Sequence, residues 1–202
     1  MKTSTVWRLL ALLAGVAIAA LALAGCGSSG NPAGNGTDLA FIDDMAPHHQ
    51  MAIDMAKTAQ RRASHPEINR LADDIIKAQQ AEIVQLNAIK DDLHGVKKAD
   101  LGIPAHMAGM DMDMAMLRDA RPFDRGFIDA MVPHHQGAIR MARVELAKGK
   151  SPALRQIAKG IVDAQSREIR SMNDWRTAWY GKPSPAGGIP SSAMSDQSGH
   201  SM

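Results

Sequence analysis

The chain of 202 residues contains one cysteine, Cys26, and this scarcity limits how the protein can be stabilised. A single thiol cannot form an intramolecular disulfide, so an exported domain has to be held together by its apolar core alone. A folded part of about 140 residues is large enough to bury such a core.

Excess charge is also missing once the N-terminal segment is set aside. Residues 1–25 contain the cations Lys2 and Arg8 and no acidic residue, so 21 of the 23 Lys+Arg remain against 21 Asp+Glu. A chain that is formally neutral gives no electrostatic reason to expect nucleic acid as a partner. The apolar–polar alternation of β-strands is absent as well, which predicts an all-α protein.

The N-terminus has the form of a secretory signal. A cationic start precedes the apolar run Leu9–Leu23 and a Leu-Ala-Gly-Cys string that ends at Cys26. That string resembles a bacterial lipobox, so residues 1–25 are predicted to be a lipoprotein signal peptide and Cys26 the lipid anchor. The domain would then lie on the extracytoplasmic side of the cell envelope, on its periplasmic or extracellular face. A plain signal peptide or an uncleaved membrane anchor is the alternative, although the run is short for a span.

Two further segments are rich in Gly, Ser and Pro. Residues 26–37 are predicted to be a flexible tether between the anchor and the folded domain. Residues 183–202 are predicted to be a disordered tail.

The most informative positive feature is a ten-residue segment that occurs twice. Phe-Ile-Asp-Asp-Met-Ala-Pro-His-His-Gln at residues 41–50 returns as Phe-Ile-Asp-Ala-Met-Val-Pro-His-His-Gln at residues 127–136, 86 positions later. Other pairs that recur at the same offset are Pro66 and Pro152, Gln79 and Gln165, and Glu82 and Glu168. One helical hairpin has therefore been used twice.

Apolar residues at helical spacing predict four helices. Their approximate ranges are 38–62, 66–94, 121–148 and 152–180. The loop inside each hairpin is short, which makes its two helices antiparallel, whereas the crossover between the hairpins, residues 95–120, is long. The expected fold is a four-helix bundle over residues 38–182, built from the duplicated hairpins 38–94 and 121–180.

Two local features of the helices are predicted. Thr37 or Asp38 is placed to cap the first helix. Pro47 and Pro133 lack the backbone N–H that a helix interior needs, so a kink or local break is expected just before each His-His pair. Alternatively, each proline starts a new helix after a short separate turn.

Each hairpin carries five candidate metal ligands. On a helix, residues at i, i+3, i+7 and i+10 share a face, which aligns the first histidine of each pair with the methionines three before and seven after it. A glutamate on the partner helix occupies an apolar stripe, where a carboxylate is costly unless it is paired or bound to metal. The ten residues are Met45, His48, His49, Met55 and Glu82, with Met131, His134, His135, Met141 and Glu168. Without metal, the same residues can form a hydrogen-bonded His–Glu core network.

The crossover contains a second candidate site, residues 106–116. Five methionines and one histidine stand there within eleven residues: His106, Met107, Met110, Met112, Met114 and Met116. Thioethers are soft, uncharged donors that select Cu(I) or Ag(I) over Zn, Mg or Ca. The tail offers the same donors at Met194, His200 and Met202. The alternative is a short Met-rich amphipathic helix that covers an open end of the bundle.

At the paired Met-x-Pro-His-His-Gln segments, and at Gln-x-x-Glu in the second helix of each repeat, the chain resembles a bacterial exported family long catalogued as a domain of unknown function. The resemblance covers about residues 38–180 and implies a ferritin-like four-helix fold, the ten ligands above and, from its CopM-type members, copper binding and tolerance. A di-iron oxidase would need Glu-x-x-His on two helices. The residue three positions after Glu82 is Gln85, however, and the residue three positions after Glu168 is Ser171. A ferritin-like fold therefore does not by itself imply di-iron oxidase activity.

The sequence thus predicts a lipid-anchored envelope protein that binds copper, with Cu(I) favoured and Cu(II) and Ag(I) as further candidates. It would sequester the ion or transfer it to a copper-accepting envelope protein, by binding and exchange without turnover. A metal-dependent enzyme with an open coordination position is one alternative. The motifs have no further acid–base candidate near them, which speaks against it. A metal-free interaction module of the envelope is the other alternative.

Overall fold

The structure is a computed structural model that describes residues 34–191. In that range the chain forms five α-helices and no strand. They are α1 (Gly36–Arg62), α2 (Pro66–Lys90), α3 (Met114–Asp119), α4 (Phe123–Lys148) and α5 (Pro152–Tyr180), with a 3₁₀ turn at Asp91–Leu93. The predicted signal peptide, Cys26, most of the tether and the tail residues Met194, His200 and Met202 lie outside the described residues.

The predicted four-helix bundle is confirmed. α1 packs along α2 and α4 along α5 as two hairpins, and the hairpins meet mainly through α1 and α4. Pro66 and Pro152 begin α2 and α5, where proline needs no hydrogen-bonded N–H. The predicted second helix was too long, since α2 ends at Lys90. Within residues 34–191, no helix combines the length and apolar character needed to cross a bilayer.

The predicted break at the internal prolines is wrong. α1 continues through Pro47 and α4 through Pro133, so neither proline starts a new helix. Each proline removes one backbone hydrogen bond. The turns on both sides are buried in the core, and this tertiary packing keeps each helix continuous.

The cap of α1 also differs from the prediction. Asn35, assigned to the tether, accepts hydrogen bonds from the backbone N–H groups of Thr37 and Asp38 at 2.9 and 3.1 Å. The Asp38 carboxylate accepts the N–H of Asn35 in return, which completes a capping box. A polar residue of the apparent tether therefore starts the helix.

Two buried aspartates, 86 positions apart, tie the hairpins together. Asp38 at the start of α1 accepts the backbone N–H groups of residues 150–151 at 3.1 and 2.8 Å. Asp124 at the start of α4 accepts those of residues 64–65 at 3.0 and 2.9 Å. The first helix of each hairpin thus binds the loop of the other, which gives the bundle a pseudo-twofold arrangement.

Part of the segment predicted to be disordered is packed on the bundle. Gln136 donates hydrogen bonds to the carbonyls of Ala186 and Gly188 at 2.8 and 2.6 Å, and Arg176 donates to those of residues 182–183. Composition indicated only that residues 183–191 lack regular structure. Hydrogen bonds from side chains of α4 and α5 satisfy backbone carbonyls of this segment instead.

The crossover is fixed against α4 by two glycines. Gly109 has a φ of +71°, and a Cβ there would approach Cα of His134 to 2.7 Å. A Cβ on Gly137 would overlap the carbonyl oxygen of Ala108. The crossover can lie this close to the helix only because neither position carries a side chain.

Glu145, near the end of α4, is a fully buried carboxyl beside Asp38. When it is ionised, neither of its oxygens has a hydrogen-bond donor. Burial, the hydrogen bond that the protonated acid makes to Asp38, and repulsion from Asp38 together raise the pKa of Glu145 to about 8. The folded protein therefore holds a proton here at neutral pH.

We expect Glu145→Gln to stabilise the protein increasingly as the pH rises. Between the ordinary pKa of 4.5 and about 8, folded wild type must take up a proton that the unfolded chain lacks, so its stability falls across this window. Glutamine keeps a donor for Asp38 and does not titrate. Urea unfolding at several pH values should show the two free energies diverging by up to ~1.4 kcal/mol per pH unit. Parallel curves would contradict the assignment.

Gly137→Ala should loosen the crossover and destabilise the fold. The added Cβ pushes the Ala108 carbonyl away, with a cost on the order of 1–3 kcal/mol, as for other overpacking. Gly160→Ala on α5 is the matched control, because a Cβ there has no neighbour within 4 Å. The control should gain about 0.5–1 kcal/mol from helix propensity. Urea unfolding measures both changes, and limited proteolysis detects release of the crossover. Equal effects of the two substitutions would contradict the close contact between the crossover and α4.

Candidate metal centre

A layer of polar side chains crosses the middle of the bundle and divides its apolar core in two. Each of the four long helices contributes two residues to this layer. They are His48 and His49 from α1, Gln79 and Glu82 from α2, His134 and His135 from α4, and Gln165 and Glu168 from α5. We call this set the polar layer. Its members are related in pairs by the offset of 86, so the sequence duplication builds one site rather than two.

The first histidines of the two pairs meet at the centre of the polar layer. The rings of His48 and His134 are stacked, with centroids 3.7 Å apart and planes 17° from parallel. His48 Nε2 donates to the carbonyl of Ala108 at 3.0 Å. His134 faces two carbonyls, with Nδ1 2.9 Å from the oxygen of Gly109 and Nε2 3.1 Å from that of His48. The crossover therefore supplies backbone acceptors to both rings.

The second histidines point to the partner helices of their own hairpins. His135 Nε2 donates a hydrogen bond to Glu168 Oε2 at 2.6 Å. His49 Nε2 lies 2.7 Å from Glu82 Oε2, but the two groups are not aligned as a hydrogen bond. These contacts confirm the predicted proximity of histidine and glutamate, and they form without a metal ion.

These contacts leave four imidazole nitrogens buried without a hydrogen-bond partner. They are the Nδ1 atoms of His48, His49 and His135, and the Nε2 atom of His49, which is in ion-pair contact with Glu82. In a neutral ring with the proton on Nε2, Nδ1 carries a lone pair, which is what a metal ion binds. In His48 and His135, a carbonyl or carboxylate acceptor on the opposite nitrogen fixes this tautomer, as in metal sites. His134 has no such free nitrogen in this arrangement.

Burial keeps the central histidines neutral. It lowers the pKa of His134 to about 4, an effect that exceeds the opposing contribution of the Gly109 carbonyl. The pKa of His48 is lowered well below its usual value, first by burial and then by the neighbouring histidines. Since a neutral ring has one N–H, His134 can donate to only one of its two carbonyls at a time. Neutral imidazoles can bind a cation without first losing a proton.

The predicted bundle methionines flank the polar layer on both sides. Met45 and Met141 belong to one half of the core, and Met55 and Met131 to the other. All four are buried. Met141 also lines a cavity of about 250 Å³ beneath the crossover, together with Met110. One thioether of the bundle and one of the crossover thus face the same space.

The other crossover donors lie in different surroundings. His106 is exposed, Met116 is 74% exposed, and Met107 is partly buried. Met112 and Met114 pack against the core half that holds Met55 and Met131. Only Met114 and Met116 are helical, in α3. The alternative of a Met-rich covering helix is therefore realised only at the end of the cluster.

Histidine, cysteine and carboxylate groups alone do not form a metal centre here. In residues 34–191, no three of them converge in a way that could hold an ion. A site in the polar layer therefore needs the thioethers, or other oxygen donors, beside the imidazoles. No sequence motif pointed directly to the backbone carbonyls of Ala108 and Gly109 as parts of the site. The glycines at 109 and 137 were the available indication that a chain segment passes close by.

Comparison with known proteins agrees with this architecture. The structure of CopM in the Cu(I)-bound form is 38% identical, with a TM-score of 0.62, and the match covers 71% of this chain and 98% of that one. CopM is also known in Ag-bound and Cu(II)-bound forms. A putative secreted DUF305 protein from Streptomyces coelicolor is 28% identical, with a TM-score of 0.64, over 74% of this chain and 96% of that one.

A curated relative matches over a shorter length. The uncharacterized protein L153 of Acanthamoeba polyphaga mimivirus is 49% identical over 59 residues, which are 26% of this chain and 39% of that protein. The family described as Domain of unknown function (DUF305) matches residues 38–176, and also 124–202. The first of these matches covers well over half of the sequence, and the chain belongs to the DUF305 family.

Proposed function

We propose that this chain is an exported, lipid-anchored protein that binds copper, with Cu(I) preferred, and that sequesters the ion or passes it to an acceptor in the cell envelope. It acts by binding and exchange, without catalytic turnover. The structures of CopM with Cu(I), Cu(II) and Ag support copper as the ion. The membrane anchor is proposed from the lipobox at Cys26.

The observation that carries the proposal is the set of buried, unpartnered Nδ1 atoms in the polar layer. A buried lone pair without a donor is unfavourable unless a ligand uses it. His48, His49 and His135 each present one. Buried methionines lie on both sides of these rings, so imidazole nitrogen and thioether sulfur are the donors at hand. This combination suits Cu(I) and Ag(I) better than Zn²⁺, Mg²⁺ or Ca²⁺.

In this proposal the glutamates orient the histidines and do not bind copper. Oε2 of Glu168 accepts a hydrogen bond from Nε2 of His135, and Oε2 of Glu82 lies 2.7 Å from Nε2 of His49. A carboxylate in this position holds the ring and raises the basicity of the other nitrogen. The copper ligands of the bundle are then the three imidazoles with Met45, Met55, Met131 and Met141.

The crossover supplies the route by which copper reaches and leaves the bundle. Met116 and His106 are exposed and can take up an ion from solvent. Met110 and Met141 face one cavity, so an ion can pass from a crossover thioether to a bundle thioether. Thioether ligands are neutral and exchange without proton transfer, which favours release to a partner.

Replacing His48, His49 and His135 together by Gln should weaken Cu(I) binding at least about tenfold. Glutamine can keep an N–H donor near the position of Nε2 but has no lone pair in place of Nδ1. Titration against a chromogenic Cu(I) chelator measures the affinity. His94→Gln, at an exposed site, is the control and should bind as wild type does. Unchanged affinity in the triple variant would exclude the bundle as the copper site.

Substituting methionine by leucine separates the contribution of sulfur from that of packing. Met45→Leu combined with Met131→Leu should weaken Cu(I) binding in the same titration, because a buried thioether is lost on each side of the polar layer. Met172→Leu is the matched control, since Met172 is equally buried and its counterpart in the first repeat is Leu86. If neither variant nor wild type bound Cu(I), the polar layer would be a metal-free structural network.

A further inference from the structure

A small cavity lies between α2 and α5, and residues of these two helices line it. Its volume is about 10 Å³, enough for one water molecule or one metal ion. Both hairpins line it with the same four residues at the offset of 86. These are Ile75, Ala78, Gln79 and Glu82 from α2, and Ile161, Ala164, Gln165 and Glu168 from α5. The cavity therefore follows the pseudo-twofold arrangement of the bundle.

Four polar side chains line this cavity, and each has an oxygen atom available to a ligand. Gln79 and Gln165 are each only 3% exposed, and their Oε1 atoms have no hydrogen-bond partner. Glu82 and Glu168 line the same space, and each uses Oε2 for its histidine, so Oε1 remains for a further ligand. Two amide oxygens and two carboxylates thus surround room for a single occupant.

A single water molecule has two hydrogens, enough for the two buried glutamine oxygens, but it brings no charge to offset the two carboxylates. A cation can bind all four at once, and two carboxylates balance a charge of +2. Within residues 34–191, no lysine or arginine forms an ion pair with Glu82 or Glu168, in contrast to Asp43 and Asp129.

We propose that Gln79, Glu82, Gln165 and Glu168 form a binding site for a hard divalent cation of the Mg²⁺, Mn²⁺ or Ca²⁺ class. Four protein oxygens with one or two waters give the oxygen coordination that these ions take. The glutamate side chains are 23% and 21% exposed, so an ion can enter from solvent. This site goes beyond the proposed copper function, and it uses oxygen donors that Cu(I) does not favour.

The test uses Mn²⁺ alone as the probe on chelator-treated protein. Loss of the electron paramagnetic resonance signal of aqueous Mn²⁺ reports binding. Wild type should bind one Mn²⁺ and melt at a higher temperature in its presence, and Mg²⁺ or Ca²⁺ should compete. Gln79→Leu with Gln165→Leu should weaken Mn²⁺ binding at least about tenfold. The matched control is Gln85→Leu with Gln156→Leu, on exposed positions of the same helices, and should leave binding unchanged.

Folding and copper binding of the leucine variant are measured in parallel. Without metal it should melt at or above the temperature of wild type, because two unsatisfied buried amides have been removed. It should still bind Cu(I). Absence of Mn²⁺ binding to wild type, or equal binding to both double variants, would overturn the cation site and leave the copper proposal standing. A wild-type protein that binds Mn²⁺ but not Cu(I) would overturn the copper proposal and leave the cation site standing.

Discussion

The polar layer across the middle of the bundle is the constraint on which the other features depend. Each unsatisfied polar group buried in a core costs about 1–3 kcal/mol, so the four histidines and two glutamines buried in this layer need partners. The second helices of the hairpins provide Glu82 and Glu168 for two of the histidines. The crossover provides the carbonyls of Ala108 and Gly109 for the other two. The crossover is therefore part of the layer, and this explains why it runs directly over α4.

A single crossover makes the surroundings of two nearly identical sequence motifs unequal. His48 and His134 occupy equivalent positions in the repeats and stack on each other. The crossover meets them through different atoms, so His48 keeps a free Nδ1, whereas both nitrogens of His134 face carbonyls. A duplicated hairpin alone would give a symmetric site. The connection between the copies determines which imidazoles remain available to a ligand.

The sequence predicted the parts of the fold that follow from local periodicity. Four long helices, two hairpins and a shared polar site follow from helical spacing, from proline at helix starts and from the offset of 86. The sequence could not show that Asn35 caps α1 or that residues 183–191 pack on the bundle, because both depend on contacts distant in the chain. The pair Gln79 and Gln165 was visible as a repeat. The sequence alone could not indicate a role for this pair, because glutamine is common on exposed helix faces. Only the structure shows that both side chains are buried.

The polar layer separates two kinds of donor through the orientation of its histidines. Each of the outer rings directs Nε2 toward a carboxylate, and its Nδ1 is buried without a hydrogen-bond partner. The same contact turns the carboxylate toward the cavity between α2 and α5, where the glutamine oxygens lie. The two proposed sites therefore use different atoms of the same His–Glu contacts, imidazole nitrogens for copper and carboxylate oxygens for the hard cation. Because ion selectivity follows donor type, the two proposed sites would not compete for the same ion.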